Sequence, residues 1–335
     1  MSSIVNKYLQ TPTEVGVVAV GFSGGQQKDG VDIAPQALID SGLLTTLRDD
    51  LNYTIHHDGV VHTYTKLFPT SDPPLHVSGA KMPMLKPQTV SNATEALSSQ
   101  VYEHAKEGRL VLTLGGDHSI AVGSISGVAK AVRERLDKEI AVIWVDAHAD
   151  INSPQTSGSG NIHGMPVSYL CGFSSAPAEN PSVFGWLEKN HLINPKKLVY
   201  IALRDVDFGE KKILRENGIK AFSMHDVDKH GIGKVMEMAL EYVGDSPVHL
   251  SFDVDALDPM WAPSTGTPVR GGLTLREGDY ICECVHETGL LVAMDLVEVN
   301  PNIGPRDGVD GVLGAAETVR AGSSLVRCAL GESLL

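Results

Sequence analysis

Three segments of this chain place carboxylates and imidazoles directly after apolar runs. They are Leu110-Val-Leu-Thr-Leu-Gly-Gly-Asp-His118, Ile140-Ala-Val-Ile-Trp-Val-Asp146-Ala-His148-Ala-Asp150 and Val248-His-Leu-Ser-Phe-Asp253-Val-Asp255. In an extended segment, side chains at i and i+2 share a face, so Asp146 and His148, and likewise Asp253 and Asp255, can each address one point. A lone Asp-x-Asp is weak evidence. Asp-x-His-x-Asp after an apolar strand, joined by a second acidic pair and a third strand ending in Gly-Gly-Asp-His, is much stronger. The competing reading is that these groups cap helices or pair with arginines. No Arg or Lys is interleaved in the three segments, and burying four carboxylates together without a strong cation is very costly.

These residues therefore predict a metal centre made of His118, Asp146, His148, Asp150, Asp253 and Asp255. Four carboxylates and two imidazoles without a thiolate suit a hard or borderline ion such as manganese(II) better than a structural zinc. Four negative charges match two divalent ions with a hydroxide between them. Such a pair lowers the pKa of bound water and orients it, so the expected chemistry is metal-assisted hydrolysis. The spacing does not choose the substrate.

The elements that must position these groups follow from periodicity. Apolar, β-rich runs at Val15–Val20, Leu110–Leu114, Ile140–Val145, Lys197–Leu203, Val248–Phe252 and Leu290–Val297 read as strands covered on both faces. Helical patterns lie between them at Asn92–Glu107, Gly123–Lys138, Glu210–Asn217, Gly231–Val243 and Arg276–Thr288. This alternation predicts an α/β fold with a mostly parallel sheet, as a single domain over residues 1–335. In such a sheet ligands bind outside the carboxyl ends of the strands, where all three segments deliver their side chains. Residues 68–87 carry five prolines and read as an extended loop. The Gly-rich stretch 21–30 lacks both nucleotide-loop spacings and reads as structural.

Bulk properties narrow the partners. The 335 residues carry a formal net charge of −14, which argues against nucleic acid or an anionic membrane surface and favours a cationic small molecule. Four cysteines, Cys171, Cys282, Cys284 and Cys328, are too sparse for a disulfide framework and suit a reducing compartment. Cys282 and Cys284 do not share a helix face and read as structural thiols. The first residues show no signal-peptide or transit-peptide pattern, and no apolar run reaches membrane-spanning length, so a cytoplasmic location is expected.

The Gly-Gly-Asp-His, Asp-Ala-His-Ala-Asp and Asp-Val-Asp-Ala-Leu-Asp-Pro segments resemble the signatures of the ureohydrolase family, most closely its arginases, and the likeness runs from about Val15 to Ala329. The resemblance implies a three-layer α/β/α fold, two Mn2+ ions per subunit, and hydrolysis of L-arginine to L-ornithine and urea by a metal-bridging hydroxide. It implies that His118, Asp146, Asp150 and Asp253 hold one ion. His148, Asp146, Asp253 and Asp255 hold the other, with Asp146 and Asp253 shared. Asp150 would relay a proton to the leaving amine, His163 would shuttle protons, and Glu298 would orient the guanidinium. Asn152, Ser159 and Asn161 match positions that recognise an α-carboxylate, Asp207 one that recognises an α-amino group, and Thr267 one that supports the pocket. Arg276 and Glu277 match a salt-bridging pair at subunit contacts, which implies a homo-oligomer, a trimer or hexamer; an exposed charge pair at a helix start explains them equally well. Two rival functions stand beside this one. An agmatinase would lack the long Ser/Asn-bearing loop after Asp150, and a metal-bound sensor without turnover would typically lack a ligand or His163.

Overall fold

Each run read above as a strand forms one in the computed structural model, which describes residues 4–303 and 311–333. The start of the amino-terminal stretch and both ends of the expected 1–335 domain lie outside the described residues. The first half of the chain forms β1 (Glu14–Val20), α1 (Ala34–Asp40), α2 (Leu43–Asp49), β2 (Thr54–His56), β3 (Val61–His62), α3 (Pro87–Lys106), β4 (Leu110–Leu114), α4 (Ala121–Leu136), β5 (Ala141–Val145) and α5 (Pro166–Leu170). The second half forms β6 (Leu198–Leu203), α6 (Phe208–Asn217), β7 (Lys220–Ser223), α7 (Met224–Val243), β8 (Val248–Asp253), α8 (Leu275–Glu287), β9 (Leu291–Val297) and α9 (Gly311–Ala329).

The sheet runs β2-β1-β4-β9-β8-β5-β6-β7, with β3 also on β1, and every strand pairing is parallel. Helices α3, α4 and α5 pack together as one layer, and α7, α8, α9, α1 and α2 form a second chain of contacts. The fold is thus a three-layer α/β/α sandwich. Strands β4, β5, β8 and β9 are buried along their whole length, which explains the unbroken apolar run of β5 and the few polar residues in β4 and β9, whereas β8 alternates, its His249 and Ser251 buried among partners.

The strand order creates the site. The chain places β4 and β5 apart, then returns to fill the gap with β9 and β8. Leu114 is level with Leu296, Leu296 with Phe252, and Phe252 with Val145. Four adjacent strands therefore end on one line, and the segments that follow them diverge from a common edge, the usual ligand crevice of an open parallel sheet.

Differences from the sequence reading have local causes. Helix α3 starts at Pro87 rather than Asn92, since a proline tolerates the first helical position. The proline-rich loop supplies its cap: Asp72 accepts from the backbone N–H groups of Gln88 at 3.2 Å and Thr89 at 2.7 Å. The expected start at Gly231 marks a break within α7, where this glycine has φ 74°. The preceding turn begins with a capping box between Ser223 and Asp226. Strands β2, β3 and β7 are too short to show a period. Helix α9 hides its period behind small residues such as Gly322, where an added Cβ would come within 2.9 Å of the Leu296 side chain.

Asp72→Ala removes the α3 cap and is expected to cost about 1 kcal/mol. Thermal unfolding should shift down by a few degrees, with turnover per folded molecule unchanged. An unchanged transition would show that the loop does not stabilise the helix.

Candidate metal centre and active site

The expected ligands converge, though not because their segments stay extended. Asp146 follows β5 directly and its Oδ1 accepts from the His148 backbone N–H at 2.7 Å. Asp253 ends β8 and its Oδ1 accepts from the Asp255 N–H at 2.8 Å, opening a short 3-10 turn. Each acidic residue thus folds its own segment back, bringing the second ligand to the first.

Two groups of donors result. His118 Nδ1 lies 3.2 Å from Asp146 Oδ2, 3.3 Å from Asp150 Oδ2 and 3.2 Å from Asp253 Oδ2. His148 Nδ1 lies 3.4 Å from Asp146 Oδ1 and 3.2 Å from Asp255 Oδ2. Asp146 therefore offers one oxygen to each group, and the His118–Asp146–Asp150 and Asp146–His148–Asp255 donors are each compact enough to hold an ion, with Asp253 beside the first. The four carboxylates and His118 are buried, and His148 is half-buried.

The residues fit a divalent cation. His118 Nε2 sits 2.9 Å from Ser251 Oγ, which suits an N–H at that nitrogen and a lone pair at Nδ1. That Nδ1 is buried, faces three carboxylate oxygens and makes no aligned hydrogen bond. Such an arrangement repels unless a positive charge sits among the four atoms. In a metal-free protein, protons must fill that role. Burial pulls His118 down, but Asp146, Asp150 and Asp253 outweigh it and hold the imidazole well above its ordinary value. Burial, then Asp255 and Asp146, hold the Asp253 carboxyl well above the usual carboxylate range, and burial with Asp146 pushes Asp150 up to about 6. The ion-pair contacts of these carboxylates, among the described residues, are with imidazoles rather than Lys or Arg.

Supporting side chains lock this geometry, and several were not apparent from motif spacing. Trp144, on β5 beside Ser251 of β8, stacks on the His118 ring with centroids 4.0 Å apart and donates Nε1–H to Asp146 Oδ2 at 2.9 Å. Arg204 donates to the carbonyls of Asp255, Ala256, Leu257 and Val269, tying down the turn after β8. Asp117 accepts from Gly25 N–H at 2.8 Å, and the Gly25 carbonyl accepts from His163 N–H at 3.0 Å. The Gly-rich stretch is structural, as expected, and its structural task is to clamp the active-site loops. Ser251, two residues before Asp253, and Asp117, inside Gly-Gly-Asp-His, could have been suspected from their places in the motifs. Arg204 left no such signal.

The other expected residues surround the same edge. Glu298 follows β9 at φ 61°, and Asp150 has φ 48°; both hold the left-handed backbone that non-glycine residues seldom adopt. Glu298 Oε1 accepts from His118 N–H at 2.9 Å and faces His163 Nδ1 at 3.0 Å. Burial lowers the pKa of His163, but Glu298 outweighs it and the net value is about 9. A cavity of about 200 Å³ is lined by His148, Asp150, Asn152, His163, Asp207 and Thr267, among others. Asn152 Nδ2 donates to Asp207 Oδ2 at 2.8 Å, and Thr267 Oγ1 donates to Asp255 Oδ2 at 3.0 Å. Ser159 is exposed and Asn161 half-buried on the loop that joins Asn152 to His163; Ser159 Oγ accepts from Asn161 N–H at 3.2 Å. Elsewhere, Glu277 is engaged in a capping box with Thr274, and Arg276 lines a separate cavity of about 730 Å³ with Trp261 and Asp279.

Fold and site together define a metal-dependent hydrolase built on a parallel α/β/α sandwich. The arginase family model matches residues 13–331, and the chain belongs to the arginase family. It is 69% identical to the arginase of Neurospora crassa over 335 residues, covering 100% of this chain and 90% of that one. The crystal structure of a cold-adapted arginase from the psychrophilic yeast Glaciozyma antarctica matches with TM-score 0.76 and 42% identity, each chain being covered completely. That of Entamoeba histolytica arginase in complex with L-ornithine matches with TM-score 0.78 and 28% identity, over 97% of this chain and 100% of that one.

Metal ions must displace the protons held by His118, Asp150 and Asp253, so metal affinity should fall progressively as pH drops, with His118 binding its proton well above its ordinary value and Asp150 adding a step through about 6. Metal content after dialysis at graded pH measures this; retention independent of pH would contradict it. Ser251→Ala, which frees His118 Nε2, should weaken metal retention by about 10- to 100-fold.

Proposed function

We propose that this chain, as one catalytic domain over residues 1–335, hydrolyses the guanidinium of L-arginine to L-ornithine and urea with two Mn2+ ions. One observation carries the reading. The cavity that exposes His148 and Asp150 of the metal cluster is walled on another side by the Asn152–Asp207 pair, so a single small molecule can reach both. Membership of the arginase family and the ornithine bound by the Entamoeba histolytica relative support the same substrate.

In this reading His118, Asp146, Asp150 and Asp253 hold one ion, and His148, Asp146, Asp253 and Asp255 the other. The ions would supply a hydroxide nucleophile at neutral pH. The remaining chemistry belongs to side chains. Glu298 has Oε1 committed to His118 N–H and His163, so Oε2 is left to accept N–H bonds from a guanidinium. Asp150 accepts a proton and passes it to the leaving amine. His163, with Nδ1 turned to Glu298, presents Nε2 for proton exchange. At the far end Asp207 takes the α-ammonium group, and Asn152, Ser159 and Asn161 take the α-carboxylate. Thr267 steadies Asp255.

The protein is further proposed to be cytoplasmic and to assemble as a homotrimer or hexamer through the face that carries Arg276 and Glu277. Light scattering measures the assembly. No helix among the described residues is long and apolar enough to cross a membrane.

Urea release from arginine and agmatine on one manganese-reconstituted preparation tests the substrate. Arginine should be favoured by orders of magnitude in kcat/KM, because agmatine leaves the α-carboxylate groups unpaired. Preference for agmatine would overturn the assignment. Asp146→Ala should abolish turnover. Asp207→Ala should raise KM for arginine, by an amount equivalent to about 1–3 kcal/mol, more than it lowers kcat.

A further inference from the structure

The proline-rich excursion between β3 and α3 and the Gly-rich loop after β1 are both tied to one short stretch of chain, Ser159-Gly160-Asn161. That stretch carries two of the side chains read above as donors to an α-carboxylate, and it runs directly into His163. It forms neither helix nor strand. Donors that recognise a small anion must be held to within a fraction of an ångström, so a loop can supply them only when its surroundings fix it.

On one side stands the proline-rich segment. Leu75 and Met84 exchange backbone hydrogen bonds at 2.9 Å, closing residues 75–84 into an arm. Met84 is fully buried, and its Sδ accepts from Tyr169 Oη–H on α5 at 3.6 Å, so the base of the arm is anchored in the core. From this anchor Leu85 N–H donates to the Gly160 carbonyl at 3.0 Å. Gly160 is buried between the exposed Ser159 and the half-buried Asn161, and its φ is 75°. It lies so close to the Pro83 carbonyl that an added Cβ would overlap the oxygen. Only glycine permits both this backbone conformation and this approach. A second tie, from Gln155 Nε2 to the Ser78 carbonyl at 3.3 Å, joins the arm to an earlier part of the same loop.

On the other side stands Gln27 of the Gly-rich loop. Its Nε2 donates to Asn161 Oδ1 at 3.1 Å. A side-chain amide carries its acceptor and its donors on opposite arms, so a bond that engages Oδ1 turns the Nδ2–H groups away from Gln27, toward an acceptor such as a carboxylate. Ser159 is set in the same sense. Its Oγ accepts from Asn161 N–H at 3.2 Å, which leaves its own O–H to donate elsewhere. The Gly160 N–H does not compete for that oxygen, because it donates to the buried Ser157 Oγ at 3.0 Å.

We propose that Gln27 and Gly160 are positioning residues for recognition of the substrate α-carboxylate, with the Gly-rich loop and the 75–85 arm holding Ser159 and Asn161 between them. The inference rests on the reading of those two side chains as the α-carboxylate donors, and it adds what fixes their direction. It also gives the proline-rich stretch a task, since the arm acts on substrate selection through Gly160 without touching substrate. Gln27, Gly160 and the arm all lie outside the lining of the catalytic cavity. Disturbing them should therefore weaken the amino-acid end of the site and spare the guanidinium end and the metal cluster.

The test uses the full chain reconstituted with manganese and three single variants. Gln27→Ala removes the bond to Asn161, Gly160→Ala brings a Cβ against the Pro83 carbonyl, and Met84→Ala loosens the arm from α5. KM and kcat for arginine are measured beside the inhibition constants of L-ornithine and of agmatine, which has the guanidinium but no carboxylate. Manganese content is counted on the same samples. KM for arginine and the L-ornithine constant should rise about tenfold in Gly160→Ala and about threefold in Gln27→Ala and Met84→Ala. The kcat, the agmatine constant and the manganese content should stay within about twofold of wild type. Equal weakening of arginine and agmatine, or loss of manganese, would mark a general structural defect and overturn the inference. Unchanged arginine binding in Gln27→Ala and Met84→Ala would overturn it too, while leaving the substrate assignment intact. A wild type that binds agmatine as tightly as arginine would instead remove the α-carboxylate reading, and this inference with it. Should Gly160→Ala or Met84→Ala fail to fold, Gln27→Ala, a change at an exposed side chain, decides the outcome.

Discussion

The negative charge gathered at the carboxyl ends of four adjacent strands is the constraint around which the structure is arranged. Asp146, Asp253 and Asp255 have almost no exposure to water, and Asp150 has little. Carboxylates in that setting repel one another through a medium that screens poorly. A cation is the compensation that their geometry suits. The protein fixes the oxygens in place with neutral donors: backbone N–H groups on Asp146 and Asp253, the Trp144 indole on Asp146, and the Thr267 hydroxyl on Asp255. Arg204, close by, spends its donors on main-chain carbonyls and so steadies the loop without occupying the position of an ion.

This preference for rigid neutral support extends outward. The His118 ring is stacked on Trp144 and bonded to Ser251, so its plane is held with Nδ1 turned toward the carboxylates. Glu298 is held by a bond to the backbone of the very residue that supplies this ring. A displacement of the first cluster would therefore carry the guanidinium acceptor with it. The left-handed backbone at Asp150 and Glu298 fits this picture: Glu298 turns directly after β9 and Asp150 turns within the loop after β5, and each aims a carboxylate inward.

How legible all this is in the sequence depends on range. The buried strands were readable because both faces are covered, leaving largely apolar runs, with polar residues concentrated at their ends. The ligands were readable for the same reason, although the spacing argument had the local geometry wrong: Asp146 and Asp253 bend the chain rather than continue it. Short strands such as β3 have too few residues to carry a period, and α9 trades periodicity for small residues at close helix contacts. Arg204 and the clamp from Gly25 to His163 depend on segments far apart in the chain, and no local pattern announces them.

The late insertion of β8 and β9 between β4 and β5 has a bearing on how the molecule is made. During synthesis β4 emerges with one long hydrogen-bonding edge for which no partner yet exists, and β5 with another. Those edges are completed only when the final third of the chain leaves the ribosome, since β4 waits for β9 and β5 for β8. Contacts of such long range form slowly and leave unpaired strands exposed meanwhile. A nascent chain cannot assemble the metal cluster piecemeal, because Asp253 and Asp255 arrive on the closing strand. Ion capture and closure of the sheet thus belong to one late event, and a chain interrupted before Val248 would present two raw sheet edges in place of a catalyst.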